Sequence, residues 1–315
     1  MEMRAVFGKS LEQMMASDER IVVLDADLAR ANGTLGLRQK FPERALDLGV
    51  AEQNMAGVAA GLASHGFIPF ITSFAPFASR RISDITAISI AYAKQNVKIV
   101  GTDPGFAAEL NGGTHAGIED IGVMRSTPTM VIVEPSDAVQ LEQAMPQIVA
   151  HNGPVYLRLY RKEAPVLHDE NYKFDLLKAD VLRVGTDVTL VAIGAVMLGR
   201  TLEAAELLKA EGVLAEVVDM HTVKPIDVST LIASVKKTRA VVTAENHSVI
   251  GGLHTAVCEA LSANCPAPVR AVGIPDTFAE VGKLDELLEK YHMTAADIVA
   301  QAHKVIQAKK GVLQI

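Results

Sequence analysis

Short apolar runs alternate with longer stretches of helical periodicity through the first half of the 315-residue chain. Five runs rich in aliphatic residues predict buried strands, at Ile21–Asp25, Ile68–Ser73, Val97–Gly101, Met130–Glu134 and Val155–Leu159. Apolar residues at helical spacing predict helices between them, at Arg4–Ser17, Glu52–His65, Ser79–Lys94 and Ala138–His151. This alternation predicts a parallel sheet covered by helices on both faces.

The same pattern returns in the second half, after a polar segment of mixed charge that we interpret as a linker. Further strands are predicted at Val188–Ile193, Ala215–Asp219, Ala240–Ala244 and Val269–Gly273, with helices at Met197–Ala210, Asp227–Lys236 and Gly252–Ala263. We therefore expect two α/β domains, each a mainly parallel sheet flanked by helices. Their predicted bounds are 1–165 and 183–315, joined by a linker at 166–182.

Composition narrows the class of partner. The chain has 30 Lys and Arg against 37 Asp and Glu, a net charge of −7, and no basic block. This balance argues against nucleic acid and anionic membranes as partners. Two cysteines offer no disulfide framework, and no signal peptide or membrane-spanning run stands out. We expect a cytoplasmic protein.

The densest chemical signal is the segment DLGVAEQNMAGVAAG at residues 47–61, in which Glu52 opens a helix of small residues. Taken alone, Glu52 fits an ordinary acidic residue favoured by the helix dipole. Phe74 and Phe77 follow a predicted strand, and His115 follows two glycines. Each of these residues alone also fits a plain structural role.

Five segments, in order along the chain, resemble the transketolase family. They are AEQNM at 51–55, SFAPFASRR at 73–81, ELNGGTHAGIEDIGVMR at 109–125, VYLRLYRKEAP at 155–165 and VKPID at 223–227. The resemblance implies a pyrimidine-binding domain followed by the family's C-terminal domain. It also implies the cofactor thiamine diphosphate with Mg²⁺ or another divalent cation.

The Gly-Asp-Gly motif that holds the diphosphate and its metal in this family is absent from the sequence. The resemblance therefore implies that another polypeptide carries the diphosphate-binding domain and that no metal ligand belongs to this chain. We identify the chain as the C-terminal subunit of a split transketolase. Its expected assembly contains two copies of this chain and two of an N-terminal partner subunit.

The resemblance assigns roles to residues that match the family pattern. Glu52 matches the acid that donates a proton to the aminopyrimidine of the cofactor. Phe77 matches the residue that stacks on that ring, and Phe74 lines the same pocket. His115 matches a residue that transfers protons at the donor sugar. Arg80 is interpreted as support for Glu52, as a subunit contact or as a plain surface residue.

The substrate channel departs from the family pattern. Arg4 and Arg161 match phosphate-contacting arginines, whose planar forks suit that group. Asp103 stands where the family commonly has a histidine, Asn111 where it has an aspartate, and Ala31 near a phosphate-binding serine. We expect a sugar other than the ordinary pentose and hexose phosphates. Split transketolases that act on apulose 4-phosphate are one candidate.

The predicted reaction moves a two-carbon ketol unit from a ketose or ketose phosphate to an aldose or aldose phosphate. One alternative is a β-type subunit of another thiamine diphosphate enzyme, a 2-oxoacid dehydrogenase or a protein similar to deoxyxylulose-phosphate synthase. A second alternative is a non-catalytic regulatory or scaffold protein derived from such a subunit.

Overall fold

The computed structural model describes residues 1–169 and 171–312, which form two α/β units, each built on one sheet. The strands, in chain order, are β1 (Ile21–Asp25), β2 (Ala45–Asp47), β3 (Ile68–Phe74), β4 (Lys98–Thr102), β5 (Val131–Val133), β6 (Val155–Leu159), β7 (Asp180–Arg183), β8 (Val188–Ala192), β9 (Ala215–Asp219), β10 (Thr222–Lys224), β11 (Val241–Ser248) and β12 (Val269–Ile274). The fold class predicted from the sequence is confirmed.

The helices pack on these sheets. They are α1 (Met3–Ser17), α2 (Ala29–Asn32), α3 (Leu35–Lys40), α4 (Glu52–Ser64), α5 (Ser83–Ile85), α6 (Asp120–Ser126), α7 (Ala138–Ala150), α8 (Gly194–Ala210), α9 (Val228–Thr238), α10 (Leu253–Asn264), α11 (Leu284–Lys290) and α12 (Ala295–Val312). Short 3-10 segments occur at Arg80–Ile82 and Gly105–Asn111. Among the described residues, no helix combines the length and the apolar character needed to cross a bilayer.

The first sheet has seven strands in the order β10-β5-β6-β4-β3-β1-β2. All its neighbouring strands are parallel except β10, which runs antiparallel to β5. Successive residues of a strand face opposite sides of a sheet. Val22 and Leu24 accordingly pack in the cluster that contains Met55 of α4, whereas Ile21 and Val23 pack with Phe7 of α1. Helices therefore cover both faces.

The second sheet has five strands in the order β12-β11-β8-β9-β7, and only its edge strand β7 is antiparallel to its neighbour. Its residues Leu190 and Val217 pack with α8 and α12. On the opposite face, Val191 and Val218 join the same apolar cluster as Met55 of the first unit. One continuous core thus spans both units.

Three sequence predictions need correction. The predicted helix at Ser79–Lys94 is instead a 3-10 turn, one turn of α-helix and a π-helical segment at Thr86–Tyr92, because helical spacing alone does not distinguish these windings. Strand β7 begins at Asp180, inside the predicted linker, because a half-exposed edge strand leaves no apolar run. Strand β10 lies beyond the predicted domain boundary but pairs with the first sheet.

Candidate active site

Most of the sequence-predicted site residues converge at the edge of the first sheet where its parallel strands end. Phe74 is the last residue of β3, Asp103 directly follows β4, and Arg161 lies two residues after β6. Glu52 opens α4 at the same edge. Carboxyl ends of parallel strands are the usual place for ligands in α/β folds.

Glu52 is buried, with only 4% of its side chain exposed, and it forms an ion pair with Arg81. The Arg81 Nη1 donates to Glu52 Oε1 at 3.0 Å. Gln53 Nε2 donates to the Arg81 carbonyl oxygen at 3.2 Å, which fixes the backbone of this arginine against α4. The interpretation of Arg80 as support for Glu52 is wrong: Arg80 pairs with Glu119 at 2.5 Å.

Three rings form a cluster beside this carboxylate. The ring centroids of Phe74 and Phe77 lie 6.2 Å apart, and His115 meets them edge-on at 5.8 and 5.3 Å. The guanidinium of Arg81 lies over the Phe77 ring, 4.0 Å from its centroid. His115 Nδ1 is 2.8 Å from Thr114 Oγ1. All three rings are partly exposed, so an aromatic ring of a ligand has access to them.

A second arginine contacts the aromatic cluster. The Arg161 guanidinium lies 4.8 Å from the centroid of the Phe74 ring and forms an ion pair with Asp103. Arg161 Nη1 and Arg4 Nη1 both donate to the carbonyl oxygen of Ala31, each at 3.4 Å. Arg4 is also paired with Glu2 at 2.7 Å. Arg4 and Arg161 thus meet at the Ala31 carbonyl oxygen, and each already has a carboxylate partner.

The loop that carries His115 is held by the second unit. Asn246 Nδ2 donates to the Pro104 carbonyl oxygen, and the Phe106 N–H donates to Asn246 Oδ1, both at 2.9 Å. Gly105 has φ +57°, and a Cβ there would lie 2.2 Å from the Asn246 carbonyl oxygen. Only glycine accommodates that approach. The loop is therefore built around a contact between the two units.

A buried charge cluster lies beneath the loop. Arg158, fully buried, donates to Asp120 at 2.8 Å, to Glu134 at 2.7 Å and to the Asn246 carbonyl oxygen at 2.7 Å. Burial raises the pKa of Glu134 and lowers that of His247 to about 4. Because a buried charge is stable only when paired, Arg158 ties the two units together at the base of the site.

The row accounts for most sequence-predicted site residues. It runs from Glu52 through Arg81, the aromatic cluster and Arg161 to Asp103 and Arg4. Asn111 lies apart from the row, on an exposed stretch where its amide donates to the Ala108 carbonyl oxygen at 3.0 Å.

Sequence reasoning missed Arg81, Asn246 and Arg158 as parts of the site. Arg81 had a sequence signal in the segment SFAPFASRR, four residues after Phe77. Arg158 lies inside the segment VYLRLYRKEAP and Asn246 lies at the end of an apolar run, but their roles depend on contacts between residues far apart in sequence.

Comparisons with known proteins identify the family of the chain. The profile of the transketolase pyrimidine-binding domain matches residues 1–166, and that of the transketolase C-terminal domain matches residues 177–298. A 6-deoxy-6-sulfo-D-fructose transketolase subunit from Clostridium sp. strain MSTE9 is 52% identical over 98% of this chain and 95% of its own length. One of the subunits of an apulose-4-phosphate transketolase from Phocaeicola vulgatus is 35% identical over 96% of this chain and 97% of its own length.

A solved structure has the same fold throughout. It is described as a split-gene transketolase in an inactive β4 tetramer, and it is 44% identical with a TM-score of 0.91, covering 98% of this chain and 99% of its own. The resemblance predicted from sequence motifs is confirmed. This chain belongs to the transketolase family and carries its pyrimidine-binding and C-terminal domains.

Proposed function

We propose that this chain is the C-terminal subunit of a thiamine diphosphate-dependent transketolase, which moves a two-carbon ketol unit from a ketose donor to an aldose acceptor. The observation that carries the proposal is the continuous row from Glu52 through Arg81, Phe77 and His115 to Arg161. The curated relatives named as transketolase subunits favour this function over a 2-oxoacid dehydrogenase or deoxyxylulose-phosphate synthase.

Thiamine diphosphate, when bound, supplies a carbon nucleophile that takes up and releases the ketol unit. The residues of this chain suit its pyrimidine half. Phe77 and Phe74 offer ring faces for stacking, and the buried Glu52 side chain lies where it can hydrogen-bond to a ring nitrogen of the pyrimidine. His115, at the edge of both rings, is placed to exchange protons with a sugar hydroxyl or carbonyl oxygen.

The diphosphate and its divalent cation, Mg²⁺ in our proposal, belong on an N-terminal partner subunit. The sequence has no Gly-Asp-Gly motif, and a solved relative composed of four β chains is described as inactive, in keeping with this requirement. The proposed active assembly contains two chains of each kind, so that each site lies between different chains. We place it in the cytoplasm.

The charges around Arg4 and Arg161 favour a donor sugar whose terminal acid group carries one negative charge rather than two. Asp103 and Glu2 already neutralise much of Arg161 and Arg4. A carboxylate about 5 Å from a ligand charge repels it by roughly 3 kcal/mol per unit charge at an effective dielectric constant of about 20. A phosphate dianion meets about twice the repulsion of a sulfonate and about twice the attraction to the arginines, so at two arginines that are already paired its second charge brings little net gain. We therefore propose a sulfonated ketose such as 6-deoxy-6-sulfofructose, which the name of one relative also mentions.

The first test is reconstitution with the N-terminal partner subunit. The complex is given thiamine diphosphate, Mg²⁺, a ketose and glyceraldehyde 3-phosphate, and ketol transfer is measured against the same assay with pyruvate. Glu52→Gln, which keeps the shape of the side chain, is expected to lower kcat by about 100-fold or more. Glu43→Gln, an exposed change in the same domain, serves as the control. Wild-type turnover in Glu52→Gln would refute the assignment.

The second test compares donors. The complex is expected to favour 6-deoxy-6-sulfofructose over fructose 6-phosphate and xylulose 5-phosphate in kcat/KM. Asp103→His combined with Asn111→Asp restores the usual family residues and should improve turnover of xylulose 5-phosphate. If the double variant leaves the donor preference unchanged, these positions do not set it.

A further inference from the structure

A buried group of histidine and aspartate side chains lies away from the active-site row, where the segment between the domains meets both of them. His168 is 4% exposed, Asp219 is fully buried and Asp180 is half-buried. One ligand atom from each, an imidazole nitrogen or a carboxylate oxygen, lies within 4.8 Å of the other two.

The histidine is oriented as a ligand. Its backbone N–H and its ring Nδ1 both face Asp137 Oδ2, at 2.8 and 3.1 Å, and its ring packs against Tyr172 at a tilt of 44°, with 4.1 Å between centroids. Hydrogen bonding to Asp137 and the nearby carboxylates raise the pKa of His168 against the effect of burial, and a metal ion would displace the proton from Nε2. The ring would then donate from Nδ1 to Asp137 and present its Nε2 lone pair, as metal-binding histidines do. That Nε2 has no hydrogen-bond partner and lies 3.9 Å from Asp219 Oδ2.

The carboxylates of Asp180 and Asp219 also place oxygen atoms near His168 Nε2. Asp219 Oδ2 accepts from Ser136 Oγ at 3.0 Å and from Gln140 Nε2 at 2.9 Å, while its buried Oδ1 has no partner. Asp180 Oδ2 accepts from Tyr172 Oη at 2.5 Å. Among the described residues, only histidines form ion pairs with these two carboxylates.

A second imidazole repeats the arrangement on the other side of Asp180. Thr222 Oγ1 donates to the Leu176 carbonyl oxygen at 2.6 Å and so accepts from His221 Nδ1 at 3.0 Å. His221, fully buried, is left with an unpartnered Nε2 only 3.6 Å from Asp180 Oδ2. Two lone pairs that face each other in a buried site repel, and a proton or a metal ion near both relieves the repulsion.

We propose that His168, Asp180 and Asp219 bind one divalent transition-metal ion of the Zn²⁺ class. Imidazole nitrogen and carboxylate oxygen are ligands for such an ion, at about 2.0–2.2 Å, and small side-chain rotations bring atoms 3.9–4.8 Å apart to that geometry. Two carboxylates and a neutral imidazole balance the charge of the ion. The half-buried Asp180 gives it a path from solvent.

The site has a structural role. His168 belongs to the segment between the domains, Asp180 opens β7, and Asp219 closes β9. The second contact of His168, through Asp137, reaches the N-terminus of α7 in the first domain. A metal ion here fastens the interdomain segment to both domains, on residues separate from the proposed catalytic row.

Metal content of the tag-free full chain tests the proposal. We expect about one Zn²⁺ per chain by mass spectrometry after purification, and a lower Tm after EDTA treatment. Adding back Zn²⁺ at about 100 times its Kd should raise Tm by about 5 °C. Co²⁺ in its place should give visible absorption bands typical of nitrogen and oxygen ligands in a low-symmetry site.

Variants locate the site. His168→Gln and Asp219→Asn keep side-chain size and are expected to lose the bound metal and the Tm response. His303→Gln, which alters an exposed histidine paired with Glu211, should keep both. A wild-type chain that contains no metal and does not respond to EDTA, Zn²⁺ or Co²⁺ would overturn the proposal. Full metal content in both cluster variants would overturn it equally.

Discussion

Two neighbouring arginines at the active-site row have different surroundings. Arg81 contacts the Glu52 carboxylate and covers the Phe77 ring, whereas Arg80 points the other way and pairs with Glu119. Arg81 therefore positions both the acid and the stacking ring. Because a guanidinium fits a carboxylate and an aromatic face at once, lysine only partly replaces it.

We expect Arg81→Gln to reduce kcat/KM of the reconstituted complex by about 10-fold, with a higher apparent KM for thiamine diphosphate. Arg81→Lys should recover part of the loss because it keeps the charge beside Glu52. Arg80→Gln is the matched control and should change both constants little, since it removes a half-exposed ion pair. Equal losses in Arg80→Gln and Arg81→Gln would contradict a specific positioning role for Arg81.

Motifs identified this region, but they did not identify the arginine that contacts Glu52. Arg80 and Arg81 are adjacent in sequence, but the 3-10 turn at Arg80–Ile82 points their side chains in different directions. That winding depends on packing against α4, through contacts such as the one from Gln53 to the Arg81 carbonyl oxygen. Residue types were therefore predictable from the sequence, whereas the direction of each side chain was not.

At the scale of elements, the loop that carries His115 depends on a contact with the second unit. Asn246, within β11, hydrogen-bonds to the backbone on both sides of Gly105. Gly105 has a positive φ and lies against the Asn246 backbone. The position of the loop that carries His115 is thus set by a strand of the other domain.

Gly105→Ala should lower the free energy of unfolding of the isolated chain by about 2–4 kcal/mol. The new Cβ would overlap the Asn246 backbone, and alanine is strained in the left-handed conformation that residue 105 adopts. Chemical denaturation measures this loss. In Gly57→Ala, the new Cβ on α4 meets no atom within 4 Å, so that control should be neutral or gain up to about 1 kcal/mol. Equal stability of the two variants would contradict the proposed packing.

The elements differ in how much of them the sequence predicts. Central strands such as β1 and β6 are buried along their whole length, so their apolar runs match the observed bounds. The short strands β2 and β10 and the half-exposed β7 have no such run. Their pairing is decided by the surface that the larger elements leave open, which is not a local property of the chain.

For the whole molecule, the two domains share one apolar core and one buried charge cluster. Strand β10, from the second half of the chain, completes the first sheet. His247 lies inside the charge cluster, where Nε2 accepts from the Gly122 N–H at 3.3 Å and Nδ1 donates to the Ser248 carbonyl oxygen at 2.6 Å. The domains are therefore expected to unfold as one cooperative unit.

This burial has a consequence for stability at acidic pH. Removal from water lowers the pKa of His247 to about 4, and the charge of Arg158 acts in the same direction, although Asp120, 3.9 Å away, raises it. An unfolded chain takes up a proton on this histidine below about pH 6.5, whereas the folded chain does so only near pH 4. The stabilisation present above pH 6.5 is therefore lost as the pH falls through this window, by up to about 3 kcal/mol.

His247→Gln should remove that part of the pH dependence, since its amide oxygen accepts from Gly122 and does not titrate. Urea unfolding at several pH values between 7 and 4 gives the free energy of unfolding of wild type and of each variant. The difference between wild type and His247→Gln is expected to shrink or reverse toward pH 4. The exposed change His303→Gln should follow the wild-type curve. If the free energy of unfolding of wild type and of His247→Gln changes with pH in the same way, the buried His247 ring does not cause the pH dependence of stability.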